Sequence, residues 1–149
     1  MNIIKWEKSF ETGFDVIDFQ HKIILSRGNE LIEGLENGKS KIMIDLILKD
    51  LIDYLFEHFT FEEQMFSSIV YYKDMDKHLQ EHQYFRDKLV VITNKFLNNE
   101  KDISEEIMIF FNEWTETHIL KTDKIFSKEL KKHLKFKKNW SIDFITFVL

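Results

Sequence analysis

Apolar residues recur along this chain in steps of three and four, and the steps gather into four long runs. Such spacing lines up one side chain per turn on a single helix face. The first run extends from about Asp15 to Asn37, with an inner stripe of His21, Ile24, Gly28, Leu31 and Leu35. Asp15 stands where an N-cap is needed and Gly38 where a helix stops. The second run starts after Ser40 and continues into the high sixties through Ile44, Leu48, Leu51, Leu55, His58 and Glu62. The third spans about Asp74 to Leu97 through Met75, His78, His82, Phe85, Leu89, Ile92 and Phe96. The fourth opens at Asp102, a capping-box partner for Glu105, and carries Ile107, Phe111, Trp114 and His118, then Asp123, Phe126 and Leu130. Four amphipathic stripes with short connections predict an all-α fold, an antiparallel up-down-up-down four-helix bundle. The bundle covers about residues 15–136, with an N-terminal arm before it and an apolar C-terminal extension, residues 137–149, after it.

One step breaks the rhythm. From His118 to Asp123 is five residues, which in a straight α-helix turns the side chain roughly 140° from its predecessor. Phe126 and Leu130 follow in register with Asp123 rather than with His118. The spacing therefore predicts a π-type distortion between His118 and Asp123 that returns the aspartate to the interior.

Composition narrows the class. A chain of 149 residues, 44% hydrophobic with fifteen Phe, is expected to form a single domain with a real core. The absence of Pro and the presence of only four Gly leave few breaks and favour long helices. Without Cys, any metal must be held by nitrogen and oxygen. The net charge of −5 disfavours nucleic acid as a partner, and the lysines from Lys121 to Lys138 read as a solvated face. With neither a signal-peptide core nor a run of membrane-spanning length, a cytoplasmic protein without a membrane span is expected.

The chemistry lies in the stripes. Five of the six histidines (His21, His58, His78, His82 and His118) occupy seam positions that would ordinarily hold leucine, and Glu62 and Asp123 accompany them. The sixth, His133, falls outside the pattern and reads as a surface residue. One buried histidine is usually structural. Seven unpaired polar side chains in one core would be costly, and a pair of cations satisfies them all. His58 with Glu62, and His78 with His82, are four residues apart and so project from one helical face. Imidazole and carboxylate donors suit iron, and also zinc, manganese or copper.

At these residues the sequence resembles the hemerythrins, in their bacterial form. The likeness rests on His21 in helix one, His58-Phe59-x-x-Glu62 in helix two, His78-x-x-x-His82 in helix three and His118-Ile119-x-x-x-Asp123 in helix four. Flanking words agree, among them Trp6, Phe10, Thr12-Gly13 and Ile17-Asp18-Phe19-Gln20, and the match covers roughly residues 6 to 134. The resemblance implies two iron ions, one held by His78, His82 and His118 and the other by His21 and His58 with one position open. Glu62 and Asp123 would bridge them beside an oxo or hydroxo group. It further implies reversible dioxygen binding for storage, delivery or buffering, rather than an enzyme. Trp114, Phe59 and Phe85 are the expected apolar walls of the oxygen pocket.

Two departures stand out. Thr115 occupies a position where many relatives carry a pocket-lining Leu; its hydroxyl either reaches bound oxygen, admits water or turns back to the carbonyl of Phe111. Tyr71-Tyr72 replaces the Tyr-Pro common before helix three. The tail from Trp140 to Leu149 is strongly apolar but too short to span a bilayer. It leaves open packing on the bundle, self-association as a homo-oligomer, or docking to a client protein. Alternative functions are an oxygen or redox sensor acting on a partner protein, and a di-iron enzyme handling peroxide or nitric oxide.

Overall fold

The computed structural model describes residues 3–67, 72–99 and 103–136. After an arm containing a 3₁₀ turn (Lys8–Phe10) come α1 (Asp15–Glu36), α2 (Lys41–Phe66), α3 (Met75–Leu97), α4 (Ser104–Glu113), a π-helical stretch (Trp114–Asp123) and α5 (Lys124–Phe136). The last three run end to end as the fourth helix of the bundle, since Trp114 and Lys124 both keep right-handed helical backbone angles. α1 packs on α2 and α4, and α3 also packs on α2 and α4, which is the neighbour pattern of an antiparallel bundle. No helix among the described residues is long and apolar enough to cross a membrane. The Trp140–Leu149 tail lies outside the described residues.

Helix ends follow local chemistry with one correction. Gly38 adopts φ +64°, the left-handed conformation that closes α1, and Ser40 Oγ accepts from the Met43 backbone N–H to open α2. Asp15 is not the cap of α1. Phe14 takes that place and Asp15 lies within the first turn. The polar anchor is instead Asp18, whose Oδ1 accepts from both the backbone N–H and the hydroxyl of Thr12 at 2.8 Å, tying the arm to the helix start. The predicted cap Asp102 lies outside the described residues. α4 begins at Ser104, with Glu105 and Glu106 complementing the dipole at its first turn.

On every helix the polar seam residues fall between members of two apolar clusters. His21 follows Ile17 and precedes Ile24, and His58 and Glu62 lie between Leu55 and Met65. His78 and His82 lie between Tyr72 and Phe85, while His118 and Asp123 separate Trp114 from Phe126. A polar layer therefore crosses an otherwise apolar core. Above it α1 and α4 approach so closely that a Cβ on Gly28 would stand 2.3 Å from the Phe111 ring, so any larger residue there would force that ring to move.

The distortion expected between His118 and Asp123 is present and wider than the sequence indicated, because the π-helical turn begins at Trp114. The wider turn that i→i+5 hydrogen bonding makes brings His118 and Asp123 to the same interior face, both fully buried. The arm lies across this stretch. Asn29 holds it through a two-way amide contact with Ile4 (3.0 and 2.8 Å), and Phe10 is buried beneath it.

Candidate metal centre

All seven side chains singled out in the sequence are brought together. Each is fully or almost fully buried, and each imidazole turns its Nε2 to a common centre. Asp123 lies across that centre, with Oδ2 3.1 Å from His21 Nε2 and Oδ1 3.1 Å from both His78 Nε2 and His118 Nε2. Glu62 Oε2 is 3.2 Å from His82 Nε2, 3.4 Å from His78 Nε2 and 3.9 Å from the Nε2 atoms of His58 and His118. Their donor atoms form two groups, each within 4.8 Å: Glu62, His78, His82 and His118, and His21, His58, Glu62 and Asp123. The two groups share Glu62. His133 belongs to neither and is half-buried rather than on the surface, its Nε2 enclosed.

The donor set fits cations better than it fits itself. Despite the short approaches, both oxygens of Asp123, Oε1 of Glu62 and Nε2 of His78 lack a hydrogen-bond partner among the described residues. Carboxylate oxygens and imidazole nitrogens crowd one shared space without aligned hydrogen bonds, which is costly in a dry core unless a positive ion fills the space. Electrostatics agree. Burial lowers the His58 pKa to about 3. Burial also opposes charge on His118, but Asp123, Glu62 and Glu81 outweigh it and raise this group to about 10. Burial is likewise outweighed at His78, which is raised by Asp123 and Glu62. Burial and Glu62 oppose ionisation of Asp123, yet the neighbouring imidazoles hold it well below the usual carboxylate range. Protons on His118 and His78 here balance the two carboxylates, a task divalent cations perform while displacing them.

Behind the inner atoms runs an outer ring of hydrogen bonds that sequence reasoning missed. His58 Nδ1 meets Gln20 Oε1 at 2.8 Å, and His82 Nδ1 meets Glu63 Oε1 at 2.9 Å. His118 Nδ1 meets Glu81 Oε2 at 3.0 Å, and His78 Nδ1 meets the Tyr72 hydroxyl at 3.2 Å. With Nε2 turned inward, each Nδ1–H is the donor of its contact. Gln20, Glu63 and Glu81 each adjoin a seam ligand, His21, Glu62 and His82, and each backs a histidine on the following helix. Adjacency to a ligand is the one trace of them in the sequence, and it does not say which histidine each backs.

The four pocket candidates separate. Trp114, fully buried, stands edge-on to His21 (5.5 Å, 89°) and His58 (6.3 Å, 85°). Phe59 stacks on His82 (4.3 Å, 20°) and also touches His58 and His118. Phe85 faces only His118 among the seam histidines, so it walls the three-histidine side. Thr115 is buried, and its hydroxyl donates to the backbone carbonyls of Phe111 (2.9 Å) and Asn112 (3.0 Å). Of the three readings of this residue, that geometry matches the turn back to the backbone. Phe66 against His78 (4.6 Å) and Trp6 against His21 (6.4 Å) complete the enclosure.

The geometry defines a metal-binding four-helix bundle, and comparison with known proteins gives its family. Residues 12–130 match the hemerythrin HHE cation binding domain. A bacteriohemerythrin of Clostridium acetobutylicum is 32% identical over 124 residues, covering 80% of this chain and 95% of that protein. One from Stenotrophomonas maltophilia is 27% identical over 134 residues, covering 90% and 86%. The crystal structure of a wild-type hemerythrin superposes with a TM-score of 0.78 at 28% identity, covering 87% of this chain and 98% of that one. The chain belongs to the hemerythrin family, within its bacteriohemerythrin group.

Proposed function

We propose that this chain binds dioxygen reversibly at a non-haem di-iron centre, for storage, delivery or buffering of oxygen. The observation that carries the reading is the pair of overlapping ligand groups, fully buried and with inner lone pairs left unpartnered by the protein. His78, His82 and His118 would hold one iron and His21 and His58 the other, with Glu62 and Asp123 as the ligands common to both. Bound there, the pair of irons would supply reversible two-electron chemistry towards dioxygen.

The residues around the ligands do the rest. Three imidazoles against two leave the His21–His58 side one protein donor short, so that is where a small molecule has room to bind. Trp114 packs against both histidines of this side and, being fully buried, helps exclude water and the acids that would carry reduced oxygen away. Phe59 and Phe66 close the opposite flank. Five neutral donors with two carboxylates make the set less anionic than the carboxylate-rich sites of ferritin-like oxidases, which favours holding oxygen over cleaving it.

The test is metal analysis joined to visible spectroscopy. Iron-loaded protein, reduced under argon, should contain two irons per chain and develop a visible absorption in air that disappears when argon returns. His58→Ala should abolish the reversible change. Failure to take up iron, or an absorption change that argon does not reverse, would overturn the reading.

A further inference from the structure

The outer ring of hydrogen bonds is unequal on its two sides. Behind the three-histidine group stand two carboxylates and a phenol. Glu63, which backs His82, is itself held by Arg86 at 2.9 Å. Glu81, which backs His118, also accepts from the Thr122 hydroxyl at 2.6 Å. Behind the two-histidine group, among the described residues, stands only the neutral amide of Gln20, on His58. His21 Nδ1 has no hydrogen-bond partner among the described residues, and the rings of Trp6 and Trp114 flank this imidazole. The relay in which each helix backs the histidine of the next therefore has one gap, at His21.

An acceptor behind a ligating imidazole fixes its tautomer and orientation and makes the inner nitrogen a stronger donor, and an anionic acceptor does so more than a neutral one. We propose that the two metal positions are unequal by construction, with Glu63 and Glu81 as positioning residues that make the His78–His82–His118 position the tight one. That position fills first and empties last, and the His21–His58 position is the labile one. This rests on the di-iron reading and adds the order of loading to it. The protein then passes through a form with one metal, held on the three-histidine side, during both assembly and loss.

The experiment is anaerobic titration of the full, metal-stripped chain with Fe(II) in competition with a chromophoric chelator, with native mass spectrometry counting metals per chain. Two steps separated by tenfold or more are expected. His21→Ala should remove the weaker step and leave the tighter one. Glu63→Gln and Glu81→Gln keep a hydrogen-bond acceptor but remove its charge, and each should weaken the tighter step by about 10- to 100-fold while moving the weaker one little. Indistinguishable steps, loss of the tighter step in His21→Ala, or an unchanged tighter step in both glutamine variants would overturn the proposal. Should Glu81→Gln not fold, as circular dichroism would show, Glu63→Gln decides alone. Failure of the di-iron reading itself looks different, with fewer than two irons bound at saturation.

Discussion

Removing metal should cost this protein a large share of its stability. Four buried atoms of this layer (both Asp123 oxygens, Glu62 Oε1 and His78 Nε2) have no hydrogen-bond partner among the described residues. A buried polar atom left unpaired costs about 1–3 kcal/mol, so four of them set an upper bound of roughly 4–12 kcal/mol on the burden of the stripped core, which the attraction of His78 and His118 for Asp123 and Glu62 offsets in part. Whole domains are stable by only about 5–15 kcal/mol. Stripped protein should therefore melt far below the iron-loaded form, and Zn(II) should restore most of the difference without oxygen chemistry. The gap also depends on pH, and its sign follows from the titrating groups. In the stripped state His118 is raised to about 10 and His78 is raised as well, so the stability they contribute is complete below pH about 6.5 and is lost as pH climbs towards 10. His58, depressed to about 3, acts oppositely and withdraws stability as pH falls below about 6.5. Cations displace the protons on His118 and His78, so loading releases protons and tightens as pH rises. Calorimetric melting of stripped, iron-loaded and zinc-loaded protein between pH 6 and 9 makes the check, with the loaded-minus-stripped difference widening upward. Equal melting temperatures with and without metal, or a difference that narrows as pH rises, would refute the reasoning.

Other substitutions test separate contacts. Gly28→Ala gains about 1 kcal/mol of helix propensity but drives a Cβ to 2.3 Å from the Phe111 ring, an overpacking that costs about 1–3 kcal/mol. A net drop of a few degrees in melting temperature is expected, and a rise would show that the helices separate freely. Asp18→Ala removes the acceptor of both Thr12 bonds and should destabilise by about 1.5–3 kcal/mol in urea unfolding, with the arm becoming the first segment cut by protease. Thr115→Val should leave the autoxidation rate within about twofold, because the native hydroxyl is engaged by backbone carbonyls; a severalfold change would place that hydroxyl in the oxygen pocket.

Much of this protein was legible in its sequence, because helix periodicity and ligand chemistry are both local. Steps of three and four fixed the four helices, and substitution of imidazole and carboxylate for leucine at seam positions marked a polar layer whatever the packing. Even the five-residue step to Asp123 announced a π-type turn, since only that geometry returns the aspartate to the interior. Helix starts were less legible. Asp15 looked like a cap, yet Asp18 does the anchoring because its carboxylate meets Thr12 across the arm.

The tertiary structure alone decided what lies behind the ligands. Gln20, Glu63 and Glu81 are ordinary polar residues in sequence, and only helix packing sets each behind a histidine on the next helix while leaving His21 unbacked. It also divided the aromatic residues between the two sides of the centre, putting Trp114 over His21 and His58 and Phe85 against His118. The physical reason is common to both: a face can be read from one helix, whereas a hydrogen bond between helices depends on their relative rotation and rise.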